Sequence, residues 1–168
     1  MMKKYPLLSR FLGGSCIIAL LLTCGCNSNN ANLQAQVDSL THQTQKGYKP
    51  GLGEFMLGIQ VHHAKLWFAG KNQNWKLAAF ELGEIQESVD DIKLYCTDRP
   101  EIKSLPMLYP ALDSLNQAVK LKSLKQFQTA FVGLTKTCNS CHETTHHEFN
   151  VIKIPDTPPF SNQDFRAK

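Results

Sequence analysis

From Gly53 to Cys141 the apolar residues return every three or four positions, the period of a helix with one buried face. The pattern predicts four helices. The first covers residues 53–69, with Phe55, Ile59, His62 and Leu66 on one stripe and Met56, His63 and Trp67 beside it. Gly70 stands where it can stop that helix, and Lys71 to Asn74 make a polar loop. The second starts on Asn74 as N-cap and reaches about Tyr95. Leu77, Phe80, Glu81, Glu84, Ile85 and Ser88 trace its faces, so its apolar stripe is narrow. Asp98-Arg99-Pro100 closes that unit. The third covers 107–120 on Leu108, Leu112, Leu115 and Val119. The fourth opens at Ser123, which can form a capping box with Gln126, and continues through Leu124, Phe127, Phe131, Leu134, Cys138 and Cys141, with His142 on the same side. Amphipathic helices joined by short or moderate connections predict an all-α protein, an antiparallel four-helix bundle over residues 51–150. That length suffices for one core. Strand signals are almost absent until Val151–Ile154, and the proline-rich segment 151–168 reads as an extended tail.

Upstream of the bundle the pattern changes. Lys3, Lys4 and Arg10 precede the apolar run Cys16 to Leu22, the layout of a secretory signal and too short to span a bilayer comfortably. The run ends Leu21-Leu22-Thr23-Cys24-Gly25-Cys26, which resembles the lipobox of bacterial lipoproteins. Cys24 has leucine three positions before it, and Cys26 has the more favourable glycine just before it. Cys24 is the preferred lipidation site and Cys26 the alternative. The expectation is a signal peptide over 1–23, a flexible polar tether over 24–50, and a lipid-anchored protein on the periplasmic side of the bacterial envelope. The formal charge of +4 includes the three basic residues of the signal. Without them 15 basic residues face 14 acidic ones. Near neutrality makes no case for nucleic acid or acidic substrates.

Residues 138–142 read Cys-Asn-Ser-Cys-His. Cys-x-x-Cys-His is the attachment pattern of a c-type haem. Two thiols one helical turn apart can each add to a vinyl group of one haem, and the following histidine then lies under the iron as its axial base. Cys138 and Cys141 are therefore the expected thioether anchors and His142 the expected iron ligand. The six cysteines sort accordingly: Cys16 leaves with the signal, Cys24 or Cys26 takes lipid, Cys138 and Cys141 take haem. Cys96 is left over as a small half-buried residue, so a disulfide framework is not expected.

A haem motif near the end of the fourth helix of such a bundle resembles the cytochrome c′ class, the class II c-type cytochromes. The resemblance covers roughly residues 50–150 and rests on motif position and helix count. It implies one covalent haem c inside the bundle. Some members leave the iron five-coordinate and bind NO or CO. Low-spin members add a methionine from the first helix and transfer electrons. Members are often dimers, so a homodimer stays open. Two departures stand out. The class often has Lys between the cysteines, where this chain has Asn139 and Ser140. It often has an aromatic and then Arg after the histidine, where this chain has Thr145 and His146.

In an antiparallel bundle the start of the first helix lies beside the end of the fourth. That favours Met56 as sixth iron ligand over His62 and His63, which sit about 9–10 Å further along at 1.5 Å per residue. The plain alternative is that Met56 fills the core and that a stripe histidine is a hydrogen-bonded core group. Trp67 and Trp75 read as packing, and His146 and His147 as a solvated face.

Three functions follow. The first is a membrane-tethered monohaem electron carrier working with redox proteins. The second is a five-coordinate protein that binds or senses NO or CO, with Phe55, Met56 or Ile59 guarding the iron. The third is a zinc site of Cys138, Cys141, His142 and His146, which one helix face could hardly wrap around a tetrahedral ion. There is no Gly-rich phosphate loop and no nucleophile elbow, so an enzyme is not expected. Glu81, Glu84 and Glu87 read as a solvated acidic face.

Overall fold

The computed structural model describes residues 25–45 and 49–168, and these are all-helical with no strand. The expected signal peptide and Cys24 lie outside the described residues, as does the side chain of Cys26. The chain divides into two compact units at Lys49/Pro50.

In the first unit, α1 is Gly25–Gln45. The segment expected as an irregular tether is thus helical. From Gly25 to Gln45 there is no proline and no glycine after Gly25, and Leu33, Val37 and Leu40 recur at helical spacing; Gly47 and Pro50 follow the helix. Gln34 Nε2 donates to Asp38 Oδ1 at 2.8 Å and Gln36 Nε2 to Asn32 Oδ1 at 3.0 Å, both across one turn. Its side chains are exposed from Asn30 to Gln43. Among the described residues no helix is long and apolar enough to cross a membrane.

The second unit holds α2 (Leu52–Lys71), α3 (Trp75–Tyr95), a 3₁₀ segment (Pro100–Leu108), α4 (Tyr109–Lys120) and α5 (Leu124–Thr144). Helix α2 packs on α3 and α5, α4 packs on α3 and α5, and the 3₁₀ segment packs on α5 and α4. The helix starts follow from local chemistry. Glu54 Oε2 accepts from the Gly51 N–H at 3.0 Å, and Asn74 Oδ1 accepts from the Leu77 N–H at 3.3 Å. Ser123 Oγ accepts from the Gln126 N–H at 3.4 Å, while the Ser123 N–H goes to Ala118 O, so only half of the expected capping box forms.

The third predicted helix begins earlier than its apolar pattern suggested. Residues 100–108 are already wound as 3₁₀, with Pro100 in the first turn and Pro106 inside. Proline has no N–H, so Pro106 and Pro110 interrupt the α-helical ladder, and the tighter winding carries the chain across until α4 is established.

Gly70 does not stop α2, which continues to Lys71. Its part is steric. A Cβ there would stand 2.1 Å from Phe127 Cζ, so the bare backbone lets the phenyl ring lie against the helix. That ring belongs to an aromatic cluster at this end of the unit: Trp67 lies 4.8 Å from Phe131 and Trp75 meets Phe127 edge-on at 6.1 Å. Phe127 and Phe131 are fully buried, each contributing about 2 kcal/mol or more from removal of its surface from water.

The face of α2 that is buried is Ile59, His63 and Leu66 with Phe68 to Gly70, so His63 and not His62 sits on the inner stripe. On α3 the inner face is Ala78, Glu81, Leu82, Ile85, Val89 and Ile92, and Phe80 is exposed. The acidic face expected to be solvated is therefore split. Glu81 is fully buried, with His62 Nδ1 2.7 Å from Oε2. Lys65 Nζ is 2.8 Å from Oε1, an ion pair off the hydrogen-bond direction. Cys96 is buried, and its thiol points to the Pro50 carbonyl at 3.8 Å. Beyond α5 the chain has no regular structure. Phe165 is buried against Phe68, and Asn74 Nδ2 donates to Arg166 O at 3.1 Å.

Candidate functional site around the Cys-Asn-Ser-Cys-His segment

The last turns of α5 carry Cys138, Cys141 and His142. Three residues of helix bring the two cysteines to one face, Cys141 buried and Cys138 half-buried, both as free thiols. Burial pushes the Cys138 thiol up to about 11, with the neighbouring Cys141 adding to the effect. Burial raises Cys141 as well. Both sulfurs are therefore held as neutral S–H groups at physiological pH.

Helix α5 ends in a tight reversal. The His147 N–H reaches back to His142 O at 2.7 Å, the His146 N–H reaches Glu143 O at 3.3 Å, and His146 adopts the left-handed conformation at φ 60°. The Asn150 N–H then bonds His147 O at 2.9 Å. The turn returns the Asn150 carbonyl to within 2.6 Å of His142 Nδ1. A carbonyl only accepts, so Nδ1 carries the proton and Nε2 keeps the lone pair.

Two cavities flank this group. One, of about 80 Å³, is lined by Met56, Ile59, Gln60, His63 and Leu108 on one side and Cys138, Cys141, His142, Asn150 and Ile152 on the other. The second, of about 210 Å³, again has Met56, Cys141, His142 and Asn150, with Leu52, Gly53, Leu105, Thr145, Arg99, Glu101 and His147. Met56 is thus brought to the same space as the Cys-x-x-Cys-His face. His62 is not: its ring is turned to Glu81, with Glu84 Oε2 3.9 Å from Nε2. His63 lines the smaller cavity but is engaged. Thr135 Oγ1 donates to Phe131 O at 2.9 Å, so its oxygen accepts from His63 Nε2–H at 2.9 Å. Burial lowers the His63 pKa to about 4, which keeps the ring neutral. Phe55 stacks on Tyr95 at 6.4 Å and lines neither cavity, whereas Ile59 lines the smaller one.

The sequence reading missed several residues here. His147 lines the larger cavity instead of a solvated face. Its Nδ1–H donates to Thr145 O at 2.7 Å, and its Nε2 is 3.9 Å from Glu101 Oε1. Arg99 donates to that same oxygen at 2.9 Å. The Glu101 backbone N–H first, and then the Arg99 guanidinium, hold the carboxyl below its ordinary range against the opposing effect of burial. Asn139, Asn150 and Ile152 were not singled out as site residues either. Among the described residues no three or more His, Cys, Asp or Glu side chains are grouped so as to hold a metal ion, Cys138, Cys141, His142 and His146 included.

The donor set fits a covalently held haem on its chemistry. It offers two neutral thiols one turn apart, an imidazole with Nε2 as its unprotonated nitrogen, a thioether on the facing helix and largely apolar walls. Known protein families, curated proteins and solved structures yield no match to this chain.

Proposed function

We propose that the chain is a monohaem c-type cytochrome, an antiparallel four-helix bundle of the class II kind that transfers electrons in the bacterial envelope. In this reading Cys138 and Cys141 form the thioethers, His142 is the proximal ligand and Met56 the sixth. A lipid on Cys24 or Cys26 tethers it, and its partners are redox proteins. The observation that carries the reading is the His142 Nδ1–H···O=C bond to Asn150. A metal-bound histidine characteristically spends its second nitrogen this way, which fixes ring orientation and leaves Nε2 for the metal. A histidine on an ordinary solvated helix end would not need its ring locked against a returning carbonyl.

Other observations agree. Phe55 at the start of α2 stacks on Tyr95 at the end of α3, and His62 meets Glu81 midway, as in an antiparallel pair. Trp67 meets Phe131 and His63 meets Thr135, which likewise supports an antiparallel setting of α2 and α5. That arrangement brings Met56 to the Cys138–His142 end. Bound haem supplies a one-electron iron couple and a conjugated edge for outer-sphere transfer. The residues then have limited tasks. Cys138 and Cys141 would hold the group covalently as thioethers. His142 and Met56 set ligand field and potential, and Ile59 and Leu108 exclude water. No acid–base residue or bound substrate is required, so the protein is not read as an enzyme.

The test is the optical spectrum of protein made with haem-maturation machinery, taken oxidised, reduced, and reduced with CO. A low-spin spectrum unmoved by CO is expected, and Met56→Ala should convert it to a high-spin form that binds CO. A low-spin spectrum that persists in Met56→Ala rules out methionine ligation. A high-spin, CO-binding wild type supports the five-coordinate gas-binding alternative. Absence of covalent haem overturns the reading.

A further inference from the structure

Asn139, the first of the two residues between the cysteines, is bonded at both ends of its side chain. Asn139 Oδ1 accepts from the Ile152 N–H at 2.8 Å, and Asn139 Nδ2 donates to Ile152 O at 2.8 Å. This two-point amide clamp fixes the backbone of Ile152, two residues beyond Asn150. The same short stretch is fixed from its other side by the α5 reversal, through His147 N–H to His142 O and Asn150 N–H to His147 O. Between these fixed points lies the Asn150 carbonyl that accepts from His142 Nδ1 at 2.6 Å. Val151 is exposed and Asn150 itself is exposed, so packing does little to hold that carbonyl. A lysine at position 139 has three donors and no acceptor, so it could take only the carbonyl half of the clamp.

We infer that Asn139 is a positioning residue for the proximal histidine: it straps the chain after α5 back onto the haem-attachment turn and so holds the Asn150 carbonyl on His142 Nδ1. The inference rests on the haem reading for its redox consequence but not for its geometry. The clamp aligns a hydrogen bond that makes the imidazole a stronger donor, and a stronger donor favours the oxidised iron. Loosening the strap therefore favours the reduced iron.

The experiment compares wild type, Asn139→Ala, Asn139→Asp and Phe165→Ala in the full chain. Midpoint potentials are measured on haem-loaded protein. Proton–nitrogen NMR reads the tautomer of His142 in haem-free protein and the exchange of its Nδ1 proton in either form. Asn139→Ala should raise the potential by the equivalent of about a tenfold change in the one-electron equilibrium, about 59 mV. In haem-free protein it should also turn His142 from an Nδ1–H ring into a tautomer mixture, and in haem-loaded protein, where the iron would take Nε2, it should speed exchange of the Nδ1 proton. Asn139→Asp keeps the acceptor for Ile152 N–H but sets a carboxylate oxygen against Ile152 O, so it should fall between the two. Phe165→Ala loosens the same tail at its buried far anchor and should lower stability with the potential and the tautomer unchanged.

If Asn139→Ala alters stability alone, leaving potential and ring proton as in wild type, the positioning role is overturned. Should Asn139→Ala not fold, Asn139→Asp decides on the same two readings. Wild type without covalent haem but with an Nδ1–H His142 that responds to Asn139 would overturn the cytochrome reading and leave the strap standing.

Discussion

At the scale of single residues, burial sorts chemically similar side chains into different tasks. His62 and His63 are neighbours in sequence, yet one helical residue is about 100° of rotation, enough to send them to different partners. His62 turns to Glu81. His63 is 3% exposed, donates to Thr135, and has its pKa lowered to about 4 from 6.5 by burial. The folded protein thus holds it neutral where the unfolded chain would protonate it. Between pH 6.5 and about 4 the unfolded state binds more protons, so the His63 contribution makes stability fall as pH falls through that window. The loss amounts to about 3 kcal/mol at the acid end. Urea unfolding across the window checks it: His63→Gln, which can donate to Thr135 but does not titrate, should flatten that part of the slope. An equal slope in both proteins would mean the acid sensitivity lies elsewhere. The sequence shows that a histidine falls near the stripe, but not which of the two is inside, because the register of the buried face is set by the partner helix. The same holds for the proposed haem site. Cys138, Cys141 and His142 are legible from spacing alone. The Asn150 carbonyl and the Asn139 clamp are not, since bonds across 8 and 13 residues through an irregular turn leave no periodic trace.

At the scale of elements, three helices end the same way and none uses glycine for it. After α2, α4 and α5 the pairs of N–H groups at 73–74, 122–123 and 146–147 bond carbonyls three and five residues back, respectively, and Gln73, Lys122 and His146 take φ of 55°, 52° and 60°. Glycine is the residue whose backbone pays least for that conformation. Lys122 is exposed and its side chain bonds nothing that would be missed, so Lys122→Gly should stabilise the protein by about 1 kcal/mol. Denaturant melts should show a raised midpoint with an unchanged slope. A lowered midpoint would mean the unfolded-state entropy of glycine outweighs the relieved strain. These ends explain why boundaries were less legible than helices. The apolar period predicted each α-helix of the second unit, but the glycine expected to stop α2 serves close packing against Phe127, and the helix stops one residue later, inside the polar stretch Lys71 to Asn74. In α1 the reverse happened: polar composition suggested an irregular tether, whereas the absence of proline and of interior glycine allowed a helix.

At the scale of the whole second unit, the two ends of the core differ. Around Trp67, Trp75, Phe127 and Phe131 it is filled with aromatic rings, and around Met56, Cys141 and His142 it retains cavities. Helices α2 and α5 run through both regions, and α2 is held in turn against α3. Glu81 is the polar fixture of that setting. A fully buried carboxylate on α3, it faces His62 and Lys65 on α2, whose side chains are 21% and 16% exposed. Removing it leaves two polar groups at a closed interface, although both retain some access to water. Glu81→Ala should therefore cost about 2–3 kcal/mol, toward the low side of what breaking a buried pair costs. Glu84→Ala, at a position 36% exposed and 3.9 Å from His62, should cost less than about 0.5 kcal/mol. Because solvent ions reach a buried pair poorly, the Glu81→Ala penalty should change little between low and high salt. Urea unfolding at two ionic strengths measures both points. A Glu81→Ala penalty as small as that of Glu84→Ala, or one that salt abolishes, would show the cluster to be an ordinary surface pair and would remove Glu81 as the group that sets α2 against α3.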